Sequence, residues 1–342
     1  MQSSQKIARA LSNKIHDTVG DREIKLMHVC GTHEAAIVKH GIRALLPENL
    51  NVIMGPGCPV CITPKSEIDA AMKLAEEGVT ITTFGDLLRV PGSNGSLAST
   101  GKAKIVQSVS RAAEIAEHEE TVFMAIGFET TAPTTASAIL RHPPDNFSIL
   151  CSHRLIPPAI KWLLERGEAK LNGLLLPGHV STIIGVRPYE AFPVPQVIAG
   201  FEPLDVLYGL HMLVKQVVEG RATVENAYPR AVRYDGNVKA LKMMNDVFNQ
   251  VDAVWRGFPT ISKSGLMLKD EFQQYDAVKK YGIRLKEGKP AKGCRCDELL
   301  RGLATPTDCP LFGKKCLPTS PIGPCMVSRE GMCKIWFDAG IR

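Results

Sequence analysis

The sequence predicts an α/β protein of two related lobes, with mainly parallel sheets flanked by helices, followed by a C-terminal cysteine-rich unit. Three observations carry this. From about residue 24, short β-branched or apolar runs alternate with longer helical patterns, the rhythm of parallel βαβ units. Two segments echo each other, NVIMGPGCPVCITPKSEI from residue 51 and TVFMAIGFETTAPTTASAI from residue 121; both read strand, glycine turn, Thr/Pro-rich loop, helix. After residue 220 the rhythm changes to helices and then to a tail rich in Gly, Pro and Cys.

Residues 1–20 read as an amphipathic helix carrying Ile7, Leu11 and Ile15. The first lobe, residues 21–118, holds candidate strands at 24–30, 51–55 and 79–85. The second, residues 119–220, holds strands at 121–127, 147–151, 173–178 and 195–200, and the boundary is placed where IAEHEE precedes its first strand. Its last helix, residues 202–220, repeats Leu204, Leu207, Leu210, Val214 and Val217 at three- or four-residue intervals. Residues 221–342 form the third unit, with helices expected at 235–251 and 270–282.

At 342 residues, 44% hydrophobic and 22% charged, the chain lies in the ordinary globular range and is long enough for two or three domains. There is no apolar run of membrane-spanning length and no apolar stretch with a cleavage site at the start, so a cytoplasmic protein is expected. The net charge of +6 is spread out, with basic pairs such as Lys279-Lys280 and Lys314-Lys315 that read as solvated surface. No nucleic acid partner is inferred. Ten cysteines in a reducing compartment point to metal or redox use rather than structural disulfides.

In open parallel sheets, reactive groups gather at the carboxyl ends of strands. Cys30 and His33 fall there, as do Cys58 and Cys61, Glu129 with Thr130 and Thr131, and His153 and His179. Cys30 and His33 offer a soft thiolate and an imidazole to a transition metal; a buried thiol beside a helix-capping histidine is the plain alternative. Cys58 and Cys61 form a CxxC before a helix, where a lowered thiol pKa favours disulfide exchange or metal binding. For Glu129, Thr130 and Thr131, positioning of ligands or protons competes with helix capping. Cys151, within an apolar strand, reads as core, and Trp255-Arg256-Gly257 as packing or a partner surface.

Six cysteines occupy the stretch from Cys294 to Cys333, which has little apolar content of its own. Gaps of 14, 6 and 16 residues separate Cys294, Cys309, Cys316 and Cys333, with Cys296 and Cys325 left over, but spacing alone does not choose which four bind. Four thiolates suit an iron-sulfur cubane, and a nearby pair suits a disulfide that exchanges electrons with it. Zinc is the alternative, although its usual two close CxxC pairs are absent.

With these motifs the chain resembles the HypD family, the maturation factors for the iron site of [NiFe] hydrogenases. The resemblance spans almost the whole chain and rests on five motifs in order. They are Cys-Gly-Thr-His-Glu at 30–34, Gly-Pro-Gly-Cys-Pro-Val-Cys at 55–61, Gly-Phe-Glu-Thr-Thr-Ala-Pro at 127–133, Pro-Gly-His-Val at 177–180, and the tail cysteine spacing. It implies a redox-active scaffold that, with the small partner HypC, holds an iron ion while an Fe(CN)2CO moiety is assembled, with cyanide from HypE. Cys30 is then the iron ligand with His33 close by, Cys58 and Cys61 the adjacent redox pair, and Glu129 part of the same site. Cys294, Cys309, Cys316 and Cys333 are expected to hold a [4Fe-4S] cluster, making the tail an iron-sulfur domain. Cys296 and Cys325 resemble the disulfide pair of ferredoxin:thioredoxin reductase. Many members carry Gly-Gly-His-Thr-His after the first cysteine; here the second histidine is replaced by Ala35.

Two rival functions remain at this stage. One is a disulfide reductase like ferredoxin:thioredoxin reductase, acting on a diffusible protein. The other is a zinc-stabilised binding module.

Overall fold

The computed structural model describes residues 2–285 and 291–341. The chain opens with α1 (Gln2–Val19), β1 (Ile24–His28), α2 (Gly31–Lys39) and β2 (Leu50–Met54). Then follow α3 (Pro59–Ile62), α4 (Lys65–Glu76), β3 (Thr80–Thr83), β4 (Ala103–Ile105), α5 (Val109–Ala116), β5 (Thr121–Gly127), α6 (Ala132–Ile139) and β6 (Phe147–His153). The third stretch is α7 (Ile156–Arg166), β7 (Gly173–Pro177), α8 (Gly178–Ile184), β8 (Gln196–Ala199), α9 (Pro203–Val218) and β9 (Val224–Asn226). Last come α10 (Val238–Val247), β10 (Phe248–Val254), β11 (Thr260–Leu268), α11 (Ala277–Lys280), α12 (Cys296–Leu300) and α13 (Met332–Asp338).

Two sheets are wholly parallel, one in the order β2-β1-β7-β8-β9 and one in the order β4-β3-β5-β6. The α/β class with mainly parallel sheets flanked by helices is what the alternation predicted. The division at residue 118 does not follow the sheets: β3 and β4 pair with β5 and β6 across it, while β1 and β2 belong with β7, β8 and β9. Periodicity marks a strand but not the sheet it joins, because a parallel strand leaves by a crossover that leads equally well to either neighbour.

Side-chain alternation explains the layering. Leu26 and Leu175 face an outer core with α1, α2 and α9, whereas Met27, Leu174 and Leu176 face the space between the sheets. In the second sheet Phe123 and Ala125 face outward toward α5, α6 and α10, and Val122, Met124 and Ile126 face the same central space. Strands buried on both faces have continuous apolar sequences, which is why these runs were readable. The central core also takes in Cys296, Cys309, Cys316, Cys325 and Cys333, so the tail shares a core with both sheets.

Three expectations need correction. Of the residues assigned to the face of α1, Ile15 is buried but Ile7 is exposed. The helix expected to residue 251 stops at Val247, and an antiparallel hairpin of β10 and β11 follows. The segment expected as a helix over 270–282 is a 3-10 turn at Asp270–Tyr275 and the single turn α11. Among the described residues no helix is long and apolar enough to cross a membrane.

Candidate thiol and metal site

The carboxyl ends of β1, β2, β7 and β5 converge on one cavity of about 320 Å³, lined by Cys30, Gly57, Pro59, Phe128, Thr130, His179 and Glu330, among others. Cys30 is the N-cap of α2 in extended conformation, its side chain only 6% exposed. The loop after β2 presses against it: a Cβ on Gly57 would lie 2.2 Å from the Cys30 N and 2.4 Å from its Cα. Only glycine permits that approach, and Gly31 N–H donates to Gly57 O at 3.1 Å across it. Burial, and then the charge of Glu330, push the Cys30 thiol up to about 11.

Pro59 begins α3 directly after Cys58, and Cys58 is joined to Cys61 by a disulfide with Cα atoms 5.2 Å apart. Both sulfurs are fully buried.

The structure places His33 away from the mouth of this cavity. Its Nε2 donates to Gly200 O at 3.0 Å, with Ala199 O at 3.3 Å, and its ring packs on Phe201 at 5.0 Å. Three residues beyond the N-cap, its side chain faces β8 rather than the cavity. Burial, and then His28, hold it neutral and lower its pKa to about 3, and its Nδ1 has no hydrogen-bond partner among the described residues. His179 does line the cavity, stacked on Phe201 with centroids 3.8 Å apart.

The Gly-Phe-Glu-Thr-Thr turn divides its side chains. Phe128 and Thr130 face the Cys30 cavity, but Glu129 opens on a separate cavity of about 470 Å³. Glu129 Oε1 accepts from Ile156 N–H at 3.0 Å, its Oε2 is unpartnered among the described residues, and burial pushes the carboxyl up to about 8. Thr131 Oγ1 closes the turn onto Ile126 O at 3.1 Å. His153 is also remote, fully buried with Nε2 at 2.9 Å from Thr135 Oγ1. Cys151 Sγ donates to Leu266 O at 3.1 Å, consistent with a core thiol.

Two residues join the site without a warning in the sequence. His28, at the end of β1, donates from Nδ1 to Cys30 O at 3.1 Å and contacts Glu34 Oε2 through Nε2 at 2.8 Å. Glu330 comes from the tail, accepts from Thr32 Oγ1 at 3.3 Å, and sits so close that a Cβ on Gly31 would meet its Cβ at 2.4 Å. The Pro-Gly-His-Val motif pointed to His179; nothing local pointed to Glu330.

In the tail, Cys296 Sγ and Cys325 Sγ are 2.7 Å apart. The remaining four thiols lie around them. Burial and then the charges of Cys296, Cys309 and Cys316 push Cys294 up to about 12, and Cys333 is raised by burial and by Cys296, Cys316, Cys294 and Cys309. Ile322 N–H donates to Cys316 Sγ at 3.3 Å. Among the described residues no three His, Cys, Asp or Glu side chains already stand in a metal-holding arrangement. The chemistry of the donor set nevertheless fits an iron-sulfur cluster: four thiols in an apolar setting, one already receiving a backbone N–H.

An α/β protein whose buried thiols converge at the strand ends of two sheets is the class this geometry defines. Residues 6–340 match the HypD family, described as the hydrogenase formation hypA family. The chain is 44% identical over 337 residues to the hydrogenase maturation factor HypD of Cupriavidus necator, covering 92% of this chain and 89% of that protein. It is 44% identical to the factor of the same name in Rhizobium leguminosarum bv. viciae, at 93% and 89% coverage, and 40% identical to that of Escherichia coli K12, at 93% and 90%. The chain belongs to the HypD family of hydrogenase maturation factors.

Proposed function

We propose that the protein is the redox-active scaffold on which, together with HypC, the Fe(CN)2CO moiety of [NiFe] hydrogenases is assembled, with HypE delivering cyanide. The observation that carries this reading is the convergence of Cys30, the Cys58–Cys61 loop, His179 and Glu330 around one cavity between the two sheets. Iron is cargo here. Cys30 binds it as thiolate, and because burial keeps the free thiol protonated, iron entry and proton release are coupled. Glu330, whose carboxyl burial raises above its usual range, accepts that proton. His179 closes the mouth, and the apolar walls of Val29, Phe128 and Val180 exclude water from a centre that must gather cyanide and carbon monoxide.

Cys294, Cys309, Cys316 and Cys333 would hold a [4Fe-4S] cluster, whose chemistry would be one-electron transfer beside the Cys296 and Cys325 thiols. Reduction of Cys58–Cys61 takes two electrons and two protons, the amount that oxidation of Cys296 and Cys325 to a disulfide releases. A reductase for diffusible proteins needs a sulfur that its substrate can reach. The complete burial of Cys58 and Cys61 argues against that rival.

The test is anaerobic co-purification with HypC and HypE, followed by infrared spectroscopy. Wild type should carry cyanide and carbon monoxide bands, and Cys30→Ala should lose them; bands retained by the variant defeat the assignment. Elemental analysis of the chain alone should give roughly four irons and no zinc.

A further inference from the structure

The turn Trp255-Arg256-Gly257 takes no part in the steps above. Trp255 is fully buried, with Nε1 donating to Ser264 Oγ at 2.9 Å and its ring stacked on Phe128 at 5.9 Å. Arg256 is tied to the peptide just past the disulfide: its backbone N–H donates to Ile62 O at 2.8 Å and its Nε to Thr63 O at 2.8 Å. On the other side Gly257, at φ +84°, lies so near α12 that a Cβ would fall 2.7 Å from Asp297 Cα. The guanidinium therefore lies where the disulfide loop meets the helix that begins with Cys296.

Its Nη2 is sealed from solvent and has no hydrogen-bond partner among the described residues. Burial disfavours its charge, and Cys296, Cys325 and Cys294, ahead of Asp69, oppose that effect. Asp69 is already occupied, accepting from Ser93 N–H and Oγ at 2.6 Å each. Arginine cannot shed its proton, and a desolvated cation without a counter-ion is costly. Gly257 packs on Asp297, so this permanent positive charge stands beside the start of α12, the helix that Cys296 opens.

We propose that Arg256 is the counter-charge for negative charge on the tail sulfurs, and that its bonds to Ile62 and Thr63 link that centre to the Cys58–Cys61 loop. It is a positioning residue, touching neither iron cargo nor its ligands. The inference rests on the reading of the tail as a redox centre. Negative charge added to the tail on reduction is stabilised by Arg256, so the reduction potential is higher with it than without it.

The test compares the full chain carrying Arg256→Met or Arg256→Lys with wild type, prepared anaerobically. In the iron-loaded protein, redox titration should show the one-electron potential fall in the Met variant by about tenfold in equilibrium constant, ~59 mV, and stay near wild type with Lys. In iron-free protein equilibrated with glutathione, mass spectrometry should show the Cys296–Cys325 couple shifted about tenfold toward disulfide, ~30 mV. A purely structural role would lower the unfolding midpoint and leave both potentials in place, and that result overturns the proposal. Arg256→Gln replaces the Met variant if the latter does not fold. A shifted glutathione equilibrium in a chain that never retains iron keeps the counter-charge and defeats the cluster. Iron retention with neither potential moved does the reverse.

Discussion

His28 Nε2 and Glu34 Oε2 stand 2.8 Å apart with both side chains fully buried. His28 Nδ1 donates to Cys30 O, so the ring bridges the Cys30 backbone and the Glu34 carboxylate. Glu34 also accepts from Arg43 Nη2 at 2.8 Å and from Trp336 Nε1 at 2.5 Å, so one carboxylate fixes the Cys30 backbone and anchors α13.

Replacing Glu34 by Gln leaves the buried His28 ring and the Arg43 guanidinium without their carboxylate partner. The expected loss is about 3–5 kcal/mol, read as a lower denaturant midpoint. Burial alone would raise this carboxyl, but His28 and then Arg43 outweigh burial and hold it at about 2 against an ordinary 4.5. A depressed carboxyl stabilises fully above pH 4.5 and loses that contribution as pH falls toward 2. Wild type should show this acid limb and Glu34→Gln should not; identical limbs would refute the role.

Glu129 has the opposite sign. Burial raises it from 4.5 to about 8, so the native state prefers the protonated form and its contribution is lost as pH rises across that interval. Glu129→Gln should therefore reduce the fall in unfolding midpoint between pH 5 and pH 8, two conditions chosen to bracket roughly that titration. An unchanged difference between the two would show that the carboxyl does not titrate there.

Gly31→Ala tests how the tail is seated. A methyl group 2.4 Å from Glu330 Cβ and 2.5 Å from its carbonyl oxygen forces residues around Glu330 to move. Trypsin should then cut after the exposed Arg329 much faster than in wild type, with the fragment identified by mass spectrometry. Equal rates would mean that the contact is absorbed elsewhere.

His179→Ala removes an exposed ring that stacks on Phe201 at 3.8 Å. Stability should change by no more than roughly 1 kcal/mol, while infrared bands of the cargo should weaken about tenfold. A large stability loss with bands intact would make His179 a packing residue.

Much of the fold was legible because β1, β5, β6 and β7 are apolar on both faces and end at glycine, histidine or proline. β4 and β9, three residues each, are too short to show a period. The β10–β11 hairpin was masked by a helix-like lead-in at α10 and by polar residues on its exposed face. At the site, Cys30, Cys58, Cys61 and His179 were legible from their place after strands. Glu330 was not, since it reaches Cys30 from the far end of the chain. His33 stays within a turn of Cys30 but bonds to Gly200 O, because sequence gives its distance along the helix and not the side it faces. Glu129 was grouped with Thr130 although adjacent residues in that turn serve different cavities.

The interleaving of the two sheets has a consequence during synthesis. Leu26 of β1 pairs with Gly173 of β7, and the whole of the second sheet is made between them. A nascent chain holding only β1 and β2 exposes an unpaired edge beside Cys30 until β7 emerges, and closing that long loop carries an entropic cost. Cys30 is thus born on an unfinished template, and its environment matures only once the later half of the polypeptide has left the ribosome and docked.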